Sequence, residues 1–139
     1  MHVEGLLAPD SIDAAREEYD ALVPTSKTVV REVAKAMAFD REEYGERVTE
    51  DVVETARDAL FASLLEVHVG THEEFERFRE SNPGLDTTVR GSEHVDNVVW
   101  HVAPTGEVVA ATYQDEREAA IATLRRQAFG SVYRDAFEA

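Results

Sequence analysis

Asn97-Val-Val-Trp-His-Val-Ala103, then Pro104-Thr105-Gly106, then Glu107-Val-Val-Ala-Ala-Thr-Tyr113: two runs rich in β-branched and aromatic residues stand on either side of a Pro and Gly turn. Such runs suit a pleated, half-buried surface, and the placement of Pro and Gly fits a type I turn, so the segment predicts an antiparallel hairpin. Upstream, Thr87 to Arg90 predicts a weaker strand. Leu65 to Val69 sets Glu66 and His68 in alternation with Val67 and Val69, which predicts a short strand broken at Gly70.

Elsewhere the apolar period is helical. Ile12, Ala15, Tyr19, Leu22 and Val23 predict a first helix after Pro9-Asp10-Ser11, closed by Pro24. Thr25 or Ser26 caps a second with Val29, Val30, Val33 and Met37 on its buried face. Asp40 with Glu43 has capping-box spacing for a short turn, and Thr49 caps a third helix carrying Glu50 and Asp51 where carboxylates suit the macrodipole. Thr71 with Glu74 predicts a helix holding Phe75 and Phe78, and Asp115 with Glu118 predicts the last one. That helix runs over Ala120, Ile121, Leu124 and Ala128 toward Gly130, with Val132, Tyr133 and Phe137 continuing its pattern. An N-terminal helical cluster, a small antiparallel sheet with a hairpin and a closing C-terminal helix make an α+β fold, in a single domain over residues 1–139.

Two lysines and twelve arginines face 29 acidic side chains, for a formal net charge of -15. A compact domain with that charge repels itself unless salt screens it; at molar ionic strength the Debye length falls to about 3 Å. The composition therefore reads as adaptation to brine. It argues against phosphate backbones as partners, which draw on clustered Lys and Arg. With 43% apolar residues the chain is no disordered polyacid, and the absence of cysteine excludes disulfides, thiolate metal sites and cysteine nucleophiles. No apolar run approaches a membrane span, and no basic leader opens the chain, so a cytoplasmic location is expected.

Helices two and three share an apolar pattern: Val29-Val30 matches Val52-Val53, Ala36 matches Ala59 and Met37 matches Leu60. Beside that pattern Lys27, Arg31 and Lys35 are replaced by Glu50, Glu54 and Asp58. The reversal predicts antiparallel neighbours with Lys27 near Asp58, Arg31 near Glu54 and Lys35 near Glu50; a docking ridge for an anion is the other reading. Each exposed pair would contribute at most about 1 kcal/mol, so its value lies in register.

Candidate chemistry is sparse. Gly-rich phosphate loops and nucleophile elbows are absent. His68, His94 and His101 fall among Glu66, Glu73, Glu93 and Asp96; were His68 and His101 on one sheet face, a carboxylate would complete a two-histidine metal set. Trp100 reads as core. Arg125-Arg126 reads as a cap on nearby carbonyls or a partner for surrounding acids, with a grip on a carboxylate or phosphate as the alternative. Helices followed by a hairpin also suggest a winged helix, but its recognition helix would be Thr49 to Leu64, whose acids would meet phosphates.

The stretches Glu54-Thr-Ala-Arg-Asp-Ala-Leu-Phe-Ala-Ser-Leu-Leu-Glu-Val67, Gly91-Ser-Glu-His-Val-Asp-Asn-Val-Val-Trp-His101 and Gln114-Asp-Glu-Arg-Glu-Ala-Ala120, with Leu124-Arg-Arg126, resemble a small family of uncharacterised proteins from halophilic archaea. The resemblance covers nearly the whole chain. It implies brine and a cytoplasmic setting, and carries no activity, cofactor or catalytic residue. The expectation is a non-enzymatic protein acting through a protein interface as a homodimer, with Phe129, Tyr133 and Phe137 at helical spacing as the contact face and no cofactor. A metal or small-ligand site, hydrolytic or not, built on the histidines is the alternative.

Overall fold

The computed structural model describes residues 1–138 and is α+β. In chain order the elements are β1 (His2–Glu4), α1 (Ile12–Ala21), α2 (Val23–Ala36), α3 (Arg41–Arg47), α4 (Glu50–Leu64), β2 (Val67–Thr71), α5 (His72–Ser81), β3 (Asp86–Arg90), β4 (Asn97–Val102), β5 (Glu107–Tyr113), α6 (Arg117–Ala128), a π-helical turn (Phe129–Tyr133) and α7 (Arg134–Glu138). The five strands form one sheet in the order β1-β2-β4-β5-β3. The expected hairpin lies near its centre, with Asn97 opposite Tyr113 and Val102 opposite Val108. Flanked by β2 and β3, it projects no wing. β3 pairs with β5 in parallel, the one departure from the expected antiparallel sheet.

Alternation along β4 and β5 sends apolar side chains to both faces. Val67, Val69, Val99 and Val109 meet Ala15, Phe61, Ile121, Leu124 and Tyr133 from α1, α4, α6 and the π turn. On the other face Val98, Trp100, Val108 and Ala110 pack under Phe75 and Phe78 of α5. Both faces being covered, β4 reads as a continuous buried run and not as a half-polar strand. α2 leans on α4 and α1 at the side of the larger layer.

Several boundaries differ from the sequence expectation. Pro24 opens α2 instead of closing α1: its missing N–H costs nothing in a first turn, and only Leu22 separates the helices. Ser26 is no cap but a buried residue whose hydroxyl donates to Leu22 O at 2.7 Å. β2 runs through Gly70 to Thr71; a Cβ there would come within 3.4 Å of Trp100 and 3.3 Å of Glu74, so glycine serves close approach and not termination. Thr71 and Glu74 complete both halves of their capping box, and Asp40 and Thr49 cap as expected. Asp115 does not: α6 begins at Arg117 after Glu116, without a side-chain cap. Gly5, at φ 114°, lets the chain turn from β1 and lie against Leu65.

Candidate functional site: the grooves beside α4

The register separates the histidines. His68 lies opposite Trp100 on β4, and neighbouring residues of a strand point to opposite faces, so His101 is on the other side of the sheet. The shared sheet face expected for His68 and His101 does not exist. His94 is exposed on the β3–β4 loop, its backbone N–H bonded to Ser92 Oγ. Among the described residues no group of three His, Cys, Asp or Glu side chains is placed to hold a metal ion.

His101 has another task. Its Nδ1 lies 2.6 Å from Glu66 O, and a carbonyl only accepts, so Nδ1 carries the proton; Nε2 then accepts from the Tyr133 hydroxyl, also at 2.6 Å. Burial holds the His101 pKa below its ordinary 6.5 and that of Tyr133 above 10.0. The neutral pair ties β4 to the π turn. His68 is half-buried and stacks on Trp100, centroids 5.4 Å apart. Its pKa too is lowered, by burial first, against the opposing pull of Glu66.

Phe129, Tyr133 and Phe137 do not form an outer contact face. Phe129 and Tyr133 are buried, and Phe137 packs on the core, its ring stacked 4.5 Å from Tyr19. The reason is the π turn, in which Arg134 N–H bonds Phe129 O across five residues instead of four. The extra residue swings the aromatic run inward around Phe61.

Helices α2 and α4 do pack together, and Lys27 borders the same shallow groove as Glu50 and Glu54. Among the described residues, however, no ion pair joins Lys27 to Asp58, Arg31 to Glu54 or Lys35 to Glu50. Lys35 reaches Glu32 on its own helix at 3.3 Å, and Asp58 accepts from Tyr19 Oη at 2.5 Å. Arg57 sits with its guanidinium 4.0 Å from the centre of the Tyr19 ring and 3.8 Å from Asp20. Burial, then the bond to Asp58, pushes the Tyr19 pKa up to about 12. This cluster was invisible in sequence, because Tyr19 lies on a core stripe and Asp58 is one acid among 29.

Two grooves flank α4 and share Thr55 and Ala59. One, about 570 Å³, runs between α2 and α4 and is lined by Val29, Val33, Met37 and Val52, with Arg47 and Asp51 among its charged residues. The other, about 430 Å³, runs between α4 and α6 beneath Arg125, Arg126 and Arg134, with Ala59, Ala62, Ala122 and Phe129 in its walls. Both lie within the size range of ligand sites.

No helix among the described residues is long and apolar enough to cross a membrane. Neither the curated proteins nor the solved structures contain a match to this chain. A family model matches residues 6–134, from the segment after β1 to the start of α7, and so spans both grooves. The chain belongs to this family of unknown function, DUF5809.

Proposed function

We propose that the chain is a non-enzymatic, cytoplasmic interaction protein of a salt-adapted cell, working as a homodimer through the groove between α2 and α4. One observation carries this reading. Of nine exposed large apolar side chains among the described residues, four (Val29, Val33, Met37 and Val52) converge on that groove, Met37 being 61% exposed. Scattered apolar residues need no explanation, but convergence in a concave surface is how interfaces begin.

A second copy is the occupant that the groove's own charges favour. Its lining holds one base, Arg47, and one acid, Asp51. In a two-fold contact residue i meets j and j meets i, so each Arg47 can face the partner's Asp51. Net charge -15 opposes association in dilute buffer, and molar salt removes that repulsion while leaving apolar contact intact.

Sedimentation velocity in molar potassium chloride tests the proposal. Wild type is expected to run as a dimer at micromolar concentration, and Val33→Asp with Met37→Asp as a folded monomer, with Trp100 emission unchanged. A monomeric wild type, or a double variant that dimerises equally well, would refute it.

A further inference from the structure

The groove between α4 and α6 concentrates positive charge in a protein that has little to spare. Arg125, Arg126 and Arg134 line it, and among the described residues none of the three lies within ion-pair distance of a carboxylate, although the chain holds 29. Among the described residues their partners are neutral. Arg125 donates from Nε to Leu65 O at 2.8 Å and from Nη2 to Glu4 O at 3.5 Å, which fixes its plane. Arg126 reaches Thr123 Oγ1 at 3.4 Å, and the Arg134 guanidinium lies 5.2 Å from the Phe129 ring centre. The one acid in the lining, Asp58, is occupied by Tyr19.

The remaining polar lining cannot supply protons to an anion. Thr55 Oγ1 donates to Asp51 O, and Ser63 Oγ to Leu60 O, leaving each hydroxyl only lone pairs to present. Recognition therefore falls to the guanidiniums, whose forked donors suit phosphate oxygens. Within this lining three arginines stand against one carboxylate, a surplus of two positive charges that complements a dianion, while on its far side Arg134 borders a smaller cavity with Glu54, Arg57 and Glu138. The walls, Ala59, Ala62, Ala122 and Phe129, are apolar and leave room beside the charged end.

We propose that this groove binds a phosphate monoester, its dianionic head between Arg125, Arg126 and Arg134 and its small apolar body along Ala59, Ala62 and Ala122. The surrounding negative surface strengthens the choice, because a lone basic cleft focuses the field where the rest of the protein repels anions. The site shares Thr55 and Ala59 with the proposed dimer groove, but none of its three arginines lines that groove.

Isothermal titration at fixed ionic strength, with phenyl phosphate, inorganic phosphate and benzoate as probes, decides the matter. Phenyl phosphate should bind saturably, inorganic phosphate more weakly and benzoate more weakly still. Arg126→Gln with Arg134→Gln should weaken phenyl phosphate about tenfold or more, the scale of a lost charge-assisted bond. Ala122→Leu, which fills the wall without touching a guanidinium, should weaken phenyl phosphate more than inorganic phosphate. The dimer-breaking pair Val33→Asp with Met37→Asp should bind as wild type does. Absence of saturable binding, or an affinity untouched by both the arginine and the Ala122 variants, overturns the site; benzoate binding as tightly as phenyl phosphate overturns the dianion.

Discussion

His101 shows how one residue can be read correctly for type and wrongly for purpose. A histidine in a valine-rich strand signals something beyond packing, and sequence offered metal ligation; the fold instead consumes both ring nitrogens, on Glu66 O and on Tyr133. The partner that decides this comes from 32 residues away, so no local pattern encodes it. Its pH signature follows from linkage. Burial lowers the folded pKa beneath 6.5, so on acidification the unfolded chain takes up a proton first and stability falls from about pH 6.5 downward. His68, also lowered, adds to the effect. The urea midpoint in molar salt should therefore drop between about pH 7.5 and about pH 5.5, and His101→Gln should reduce that drop. An identical drop in the variant would show that His101 does not titrate as described. Tyr133→Phe, which leaves Nε2 buried and unpaired, should cost about 1–3 kcal/mol in chemical denaturation.

Among the elements, those announced by a local device were legible and those set by packing were not. Ser11, Asp40, Thr49 and Thr71 each cap a helix where the sequence places one, because a side-chain acceptor three residues before a free N–H is a local event. Thr71→Ala should cost about 1 kcal/mol, seen as a lower urea midpoint, and a midpoint equal to wild type would deny the cap its role. Gly70 and the π turn escaped the sequence for the opposite reason. Glycine is a breaker by propensity, yet here it stays inside a strand, where a side chain would sit tightly against the indole of Trp100 and the Glu74 side chain. Helical spacing at Phe129, Tyr133 and Phe137 matched a surface stripe, and one extra residue in the turn was enough to bury it. The grooves beside α4 lay beyond sequence reading altogether, since Arg125 of α6 and Arg134 of α7 come to line one cavity with Ala59 of α4 only in the folded chain.

For the molecule as a whole, the architecture shows the α+β class that the sequence pattern predicts, while the proposed salt adaptation rests on composition and the proposed partner on surface geometry. Charge of -15 on 139 residues predicts a thermal midpoint that climbs as potassium chloride goes from about 0.1 M to about 1 M, where the Debye length shortens from about 10 Å to about 3 Å. A midpoint indifferent to salt would remove the reading of the acids as adaptation to brine.

The seating of β3 at the margin of the sheet separates it along the chain from the strand that holds it. This strand emerges before the one it must lie beside, Asp86 against Glu107 and Arg90 against Ala111, and β4 is made in between. Its ladder closes a longer loop than the β4–β5 turn does and it is bonded along one edge only, so it is expected to exchange its amide hydrogens sooner than β4; equal protection of the two strands would refute this.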